Sequence, residues 1–327
     1  MSQLVRRVVI VPRNGYVNRL QALVSAQILA RDIEAELELA WLPQPAAPST
    51  VDFVLDASAF PGRLAGSDFS LPGDIELDDV PVGITRIGES LLLVAGGLAG
   101  EQVLMSELRR ELAGPAKTLV IVAGGKFWLR GDAELSSTGA RAFRRERQRA
   151  YQRLRLNSLI EEQARKVIAE LPENFIGLHL RYGDRNWQAP SRGHLRAVMR
   201  SLRADSCPDV YVAGDDAQQI RVWSTWLRSH GWYVWTNSRD ASSALSPRTP
   251  EALVDWRVLG AASRVVYFSE SSFGEEAAVA SGHYETSVPL EPSRMRALRL
   301  KSLWHARNAL TYPSRHWLSR QKSPSDA

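Results

Sequence analysis

The chain has 327 residues, long enough for two ordinary domains with a core each, and its 44% hydrophobic and 24% charged residues set disorder aside. The net charge of +5 is concentrated at one end: residues 291–327 carry eight Lys and Arg against two acids, a net of +6 that leaves −1 for the preceding 290 residues. A nucleic-acid partner inferred from overall charge therefore loses its basis.

Cys207 is the single cysteine, which excludes an intramolecular disulfide and a Cys-rich zinc site and suits a reducing compartment. Arg6 and Arg7 precede the apolar run Val8–Val11, but Pro12 and Arg13 end it too early for a signal peptide. No stretch approaches the roughly 18 apolar residues of a membrane span. The expected location is cytoplasmic.

In chain order, short apolar strands alternate with amphipathic helices, the pattern of an α/β fold with mostly parallel sheets. Residues 7–12 read as the first strand. Leu20, Leu23, Val24 and Ile28 recur at helical spacing, which predicts a helix over 18–32, and residues 36–42 return as a strand. Residues 43–88, rich in Pro, Gly, Ser and Asp, carry no clear period. Residues 91–95 and 118–123 read as further buried strands, each leading to Gly-Gly. The Arg-rich stretch 141–155 has two readings, a solvated helix face or an anion-contacting surface near a cleft. An amphipathic helix through Leu159, Ile160, Ala164, Val167 and Ile168 follows it. The change of pattern near residue 150 divides the chain into domains over 1–150 and 151–290, with a basic helical tail over 291–327. The second domain is predicted as a Rossmann-like unit, with strands at 175–181, 209–214, 233–236 and 264–269 and helices at 193–203, 217–229, 251–262 and 272–281.

Polar residues gather at three predicted strand ends. In Phe175-Ile-Gly-Leu-His-Leu-Arg-Tyr-Gly-Asp184, His179 and Arg181 share one strand face. A strand-end Arg suits bidentate phosphate binding, or a structural pair with Asp184. In Asp209-Val-Tyr-Val-Ala-Gly-Asp-Asp216, either Asp215 or Asp216 is a candidate helix cap. No third ligand accompanies them, so no metal is expected. In Arg264-Val-Val-Tyr-Phe-Ser-Glu-Ser-Ser-Phe-Gly-Glu275, Ser272 and Glu275 fit a capping box at a helix start that also makes an anion cradle. Asp255 lies among Leu253, Val254 and Trp256, where its carboxylate fits either a guanine edge or a salt bridge with Arg257 or another Arg. Arg13-Asn-Gly-Tyr-Val-Asn-Arg19 lacks the glycine patterns of dinucleotide folds and P-loops. Asn18 there is a candidate N-cap, or faces the cleft.

Together these segments resemble the fucosyltransferase superfamily of α-1,6-, nodulation and protein O-fucosyltransferases. Gly15-Tyr-Val-Asn-Arg-Leu-Gln-Ala-Leu23 is similar to its G-x-x-N-R-L-x-A-L segment, and His179-Leu-Arg-Tyr-Gly-Asp184 to its H-x-R-x-x-D motif. Glu251–Asp255 through Ser271-Ser272-Phe273 is similar to its closing D…SSF segment, and Gly214-Asp215-Asp216 to its T-D-D element. The ordered set covers about residues 7–32 and 155–282. Val17 stands where the family usually has glycine, and Tyr182 where a second Arg is common.

The resemblance implies a GT-B-like fold, two Rossmann-like domains with a cleft between them, and an inverting, metal-independent transferase without a cofactor. Its donor would be GDP-fucose, with another nucleotide sugar, or a non-catalytic relative, as alternatives. By position, Arg181 would hold the β-phosphate and Asp255 would read the guanine. Ser271, Ser272 and the N–H of Phe273 would bind the diphosphate, with His179, Asp215 and Asp216 in the donor pocket. Asp184 is the nearest candidate base, or else a structural partner of Arg181. Gly15, Asn18 and Arg19 would lie on the acceptor side, toward a glycan, glycolipid or peptide. Leu298, Leu300, Leu303, Trp304, Leu310, Trp317 and Leu318 alternate with the basic residues of the tail. That tail is expected either to pack across both domains or to touch anionic lipid.

Overall fold

The computed structural model describes residues 5–66, 68–77, 83–95, 108, 110–114, 116–127, 137–183, 189–205, 208–237, 252–269 and 271–292. Asp184, Cys207, Glu251 and the basic tail from residue 293 onward lie outside the described residues.

Two sheets organise the chain. The first contains β1 (Arg7–Pro12), β2 (Glu36–Leu39), β3 (Arg63–Leu64), β4 (Gly83–Ile87), β5 (Ser90–Ala95) and β6 (Thr118–Ala123). Their spatial order is β3-β2-β1-β6-β5-β4, parallel throughout except for the antiparallel β4. The second contains β7 (Ile176–Leu180), β8 (Asp209–Gly214), β9 (Tyr233–Trp235), β10 (Arg264–Phe268) and β11 (Val288–Leu290). It is fully parallel in the order β11-β10-β7-β8-β9. Helices α1 (Tyr16–Asp32), α2 (Ser137–Arg153), α3 (Ser158–Glu170), α4 (Arg192–Asp205), α5 (Ala217–Ser229), α6 (Ala252–Leu259) and α7 (Ser272–Ser281) complete the two Rossmann-like units. The aperiodic stretch 43–88 contains 3-10 turns at Val51–Phe53, Ala57–Ala59 and Pro72–Asp74 besides β3 and β4. The Arg-rich stretch is α2.

Parallel strands covered on both faces need apolar residues without alternation, and Val8-Val9-Ile10-Val11 meets that need. Val8 and Ile10 face one core, Val9 and Val11 another. The inner core extends from this face of the first sheet through α1, α2, α6 and α7 to Tyr211, Ala213 and Tyr267 of the second sheet. The helices between the sheets thus serve both units. This explains why α1 is buried around most of its circumference instead of along one stripe. On the far side, Leu178, Leu180, Val212 and Phe268 pack with Leu195 and Met199 of α4 and Trp223 and Leu227 of α5.

Charge is buried in this shared layer. Glu276 of α7 is fully buried, ion-paired with the equally buried Arg147 of α2. Its carboxylate also accepts from Gln21 Nε2 of α1 (2.8 Å) and from the Tyr151 hydroxyl of α2 (2.7 Å). Burial alone would raise the Glu276 pKa, but Arg147 and then Lys126 outweigh it and hold the carboxyl below its ordinary value. The arginines of α2 therefore differ in environment. Arg141, Arg145, Arg149 and Arg153 are exposed, Arg144 is half-buried over the Tyr284 ring and beside Glu285, and Arg147 is a structural counter-ion.

Removing one partner of such a pair leaves a buried charge uncompensated. Glu276→Ala is expected to lower unfolding free energy by about 3–5 kcal/mol, read as a reduced urea midpoint. The exposed control Arg145→Ala should change it by less than about 0.5 kcal/mol.

Candidate functional site

In the second sheet the chain runs from β7 outward through β8 and β9, then returns to the other side of β7 for β10 and β11. In a sheet of this topology a ligand crevice is expected beyond the strand ends at this reversal. His179 lies on β7 in register with Tyr267 of β10, and Arg181 follows two residues later. Ser271 and Ser272 follow β10 and start α7.

His179 and the start of α7 touch. The imidazole stacks on Phe273 with centroids 4.7 Å apart and planes 17° apart, and its Nδ1 is 3.3 Å from Ser271 Oγ. Burial, reinforced by the charge of Arg181, pulls the His179 pKa down to about 3, so the ring is neutral at physiological pH. Ser271 Oγ also accepts from the Gly274 N–H, so the same hydroxyl ties the imidazole to the first turn of α7. A side chain at Gly274 would collide with Cβ of Tyr267, so glycine permits α7 to sit this close to β10. The helix cap differs from the predicted capping box. Ser271, not Ser272, is the N-cap, and Glu275 turns instead to Lys126 in the loop after β6.

The adjacent acids Asp215 and Asp216 have separate tasks. Asp216 caps α5 by accepting from the Gln219 N–H at 3.0 Å. Asp215 places Oδ2 3.3 Å from Arg181 Nε, while its Oδ1 accepts from the N–H groups of Tyr182 (2.7 Å) and Gly183 (3.0 Å). The Asp215 side chain is 6% exposed and that of Arg181 20%, so a buried carboxylate anchors a guanidinium that reaches solvent. A Cβ at Gly183 would lie 2.9 Å from Asp215 Oδ2, which keeps larger side chains out of this staple. Tyr182 points the other way. Trp223 Nε1 donates to its hydroxyl at 3.2 Å, and its ring meets Phe268 edge-on at 5.3 Å.

Asp255 stands beside β8 and β9, one strand over from the crevice. Its Oδ1 accepts from the Tyr211 hydroxyl (2.6 Å) and from Asn237 Nδ2 (3.2 Å). Arg257, one of the predicted alternative partners, is engaged elsewhere. It donates to Glu161 at 2.7 Å and to the Leu154 carbonyl at 2.6 Å.

In the first sheet the corresponding reversal falls between β1 and β6. Gly15, not Asn18, is the N-cap of α1; Asn18 is half-buried in the first turn. Val17 is packed in the core, and Arg19 is fully buried with its guanidinium over the Trp41 ring. The Lys126–Glu275 pair links the strand-end loops of the two sheets, so both reversals lie on one side of the molecule. Sequence reading missed Lys126, Gln21, Arg147 and Glu276. A glutamate directly before Ala277-Ala-Val was the available signal for the last of these.

No family model and no curated protein matches the chain. Solved structures share its fold. A substituted FUT1 of Arabidopsis thaliana in complex with GDP is similar over 86% of this chain and 70% of its own, with TM-score 0.59 and 16% identity. POFUT1 in complex with GDP is similar over 89% of this chain and 99% of its own, with TM-score 0.53 and 13% identity. NodZ α-1,6-fucosyltransferase soaked with GDP-fucose is similar over 84% and 92%, with TM-score 0.52 and 16% identity. The architecture is thus the GT-B-like fold of these fucosyltransferases, and at such identities the likeness is one of fold.

The neutral His179 gives a pH signature. Between its ordinary pKa of 6.5 and its folded value of about 3, the unfolded chain binds a proton that the folded chain does not. Stability should therefore fall as pH drops through this window, by up to about 1.4 kcal/mol per pH unit. Urea unfolding at about pH 7 and about pH 5 should show a smaller loss for His179→Asn than for the wild type.

Proposed function

We propose that the protein is a glycosyltransferase that takes its sugar from a GDP-sugar, GDP-fucose foremost, and passes it with inversion to a hydroxyl of an acceptor. One observation carries this reading: the contact of His179 with Ser271 and Phe273 joins the end of β7 to the start of α7, beside an Arg181 held by Asp215. A helix start offers backbone N–H groups and the positive end of its dipole, and a nearby guanidinium adds full charge, a combination suited to a diphosphate. The shared fold supports the reading, because the similar FUT1 and POFUT1 structures are complexes with GDP and the NodZ crystal was soaked with GDP-fucose.

In this reading the β-phosphate lies against Arg181, with Ser271, Ser272 and the Phe273 N–H around the diphosphate. Asp255 offers its carboxylate to the N–H edge of guanine, oriented by Tyr211 and Asn237. As the bond from the sugar to the β-phosphate breaks, negative charge grows on the departing GDP. Donors already fixed there stabilise the transition state more than the ground state. Neutral His179 lines the pocket without adding charge. Asp184 is the candidate base, taking the proton of the attacking hydroxyl. The same architecture serving a different nucleotide sugar is the second reading, favoured by Tyr182, which packs in the core where a second Arg is common in the family.

Calorimetry with GDP, UDP and ADP is expected to show a preference for GDP, and Asp255→Asn should weaken GDP binding by about tenfold or more. A preference for UDP would remove the guanine role of Asp255. Arg181→Ala should reduce transfer by about 10²–10³-fold in protein that remains folded. Comparing release of free sugar from GDP-fucose and GDP-mannose separates the two donor readings.

A further inference from the structure

Around the loop that enters α1, side chains from α1 and from the segment after β2 hold buried hydrogen-bond donors that lack acceptors among the described residues. Asn14 adopts a left-handed conformation (φ 69°), and two side chains converge on its backbone. Arg19 Nε donates to its carbonyl at 3.0 Å, and its N–H donates to Gln44 Oε1 at 3.3 Å. Each of these side chains keeps a further donor end: Arg19 Nη1 and Nη2 and Gln44 Nε2 are buried and have no hydrogen-bond partner among the described residues. The orientation of the Gln44 amide follows from the Asn14 N–H, which needs an oxygen, so the nitrogen is the end left over. Arg19 is 0% exposed. Burial lowers its pKa only to about 10, so it remains charged at neutral pH. The ring of Trp41, 4.7 Å from the guanidinium carbon, offsets only part of the cost of burying that charge. Side chains on a helix lean toward its start, which sets this cation over the entrance of α1. The N-cap Gly15 makes no side-chain capping bond there.

What this cluster lacks is an acceptor, and everything around it favours a negative one: a full positive charge, an amide N–H and the positive end of a long helix. With Nε committed to Asn14, the Nη1–Nη2 end of the fork is the edge that pairs with two oxygens of one group. The site lies at the reversal between β1 and β6, where Asn14 Nδ2 donates to the Gly124 carbonyl at 3.3 Å. Lys126, two residues beyond Gly124, bonds Glu275 at the start of α7. The cluster therefore adjoins the proposed donor crevice without being part of it. We propose that the entrance of α1 is a recognition site for an oxyanion, a carboxylate or a phosphate, carried by the acceptor, with Arg19 and Gln44 as its donors. That the acceptor brings this group rests on the transferase reading; binding of the oxyanion does not.

The test uses the full chain saturated with GDP, so that the donor crevice is occupied, and titrates glucuronate, glucose 6-phosphate and glucose by thermal melting and calorimetry. Glucuronate or glucose 6-phosphate is expected to raise the melting temperature, the stronger of the two identifying the anion, and glucose to leave it unchanged. Gln44→Leu should weaken that binding by about tenfold. Arg19→Met, which removes an uncompensated buried charge, should melt at or above the wild-type temperature without ligand and no longer respond to either acid. The response should survive in Arg181→Ala. Three outcomes would overturn the proposal: no response to either acid up to tens of millimolar, a response lost with Arg181, or an Arg19→Met protein that melts well below wild type. The last would make the guanidinium a structural strut. Failure of GDP itself to bind would count against the donor reading alone, and the acid response would still be readable in Arg181→Ala.

Discussion

The geometry of the molecule hangs on the buried pairing of Glu276 with Arg147. A carboxylate in an apolar layer is tolerable only when its lone pairs are occupied. Here a cation from α2, a phenol from α2 and an amide from α1 occupy them together. Hydrogen bonds are directional, so the position of α7 relative to α1 and α2 is held far more tightly than dispersion contacts alone would hold it. The start of α7 lies one turn before Glu276, and the residues that touch His179 are there. A structural ion pair thus sets the aim of the proposed phosphate cradle.

Around the crevice, polar residues with similar side chains are separated by what each is bonded to. Asp216 is consumed by its helix, whereas Asp215 holds the segment after β7 and steadies Arg181. His179 is kept uncharged next to a cation, which leaves Arg181 as the charged member of the pair. Such a division between a neutral ring and a fixed guanidinium concentrates the field where leaving-group charge would develop.

Much of this was legible in the sequence, for identifiable reasons. The elements of the second unit announced themselves because most of its strands are short apolar runs and the helices at 192–205 and 217–229 have strong periodicity. The helix at 217–229 also has an acidic cap directly before it. The span of α7, 272–281, matches the reading, and its cap lies one residue earlier; with two adjacent serines, only backbone geometry decides that Ser271 bonds the Gly274 N–H. Arg147 was invisible among the arginines of α2, since burial of one of them depends on a helix more than a hundred residues away. Asp255 looked equally able to pair with Arg257 because neither Tyr211 nor Glu161, the partners that decide the matter, is near in sequence. Most of region 43–88 resisted reading because its 3-10 turns and the two-residue β3 are too short to impose a period.

The helical layer between the sheets has a consequence for anyone who would engineer this protein. Chimeras that exchange nucleotide preference usually splice one lobe of an enzyme onto another, and that route presumes each lobe closes its own core. Here Leu23 and Val24 of one lobe belong to the same apolar cluster as Val254, Trp256 and Ala278 of the other. A graft of residues 176–290 alone would leave that seam open to water and strand a carboxylate without its cation. A transplantable unit would have to carry α1 and α2 along with it, which makes the practical module nearly the whole chain.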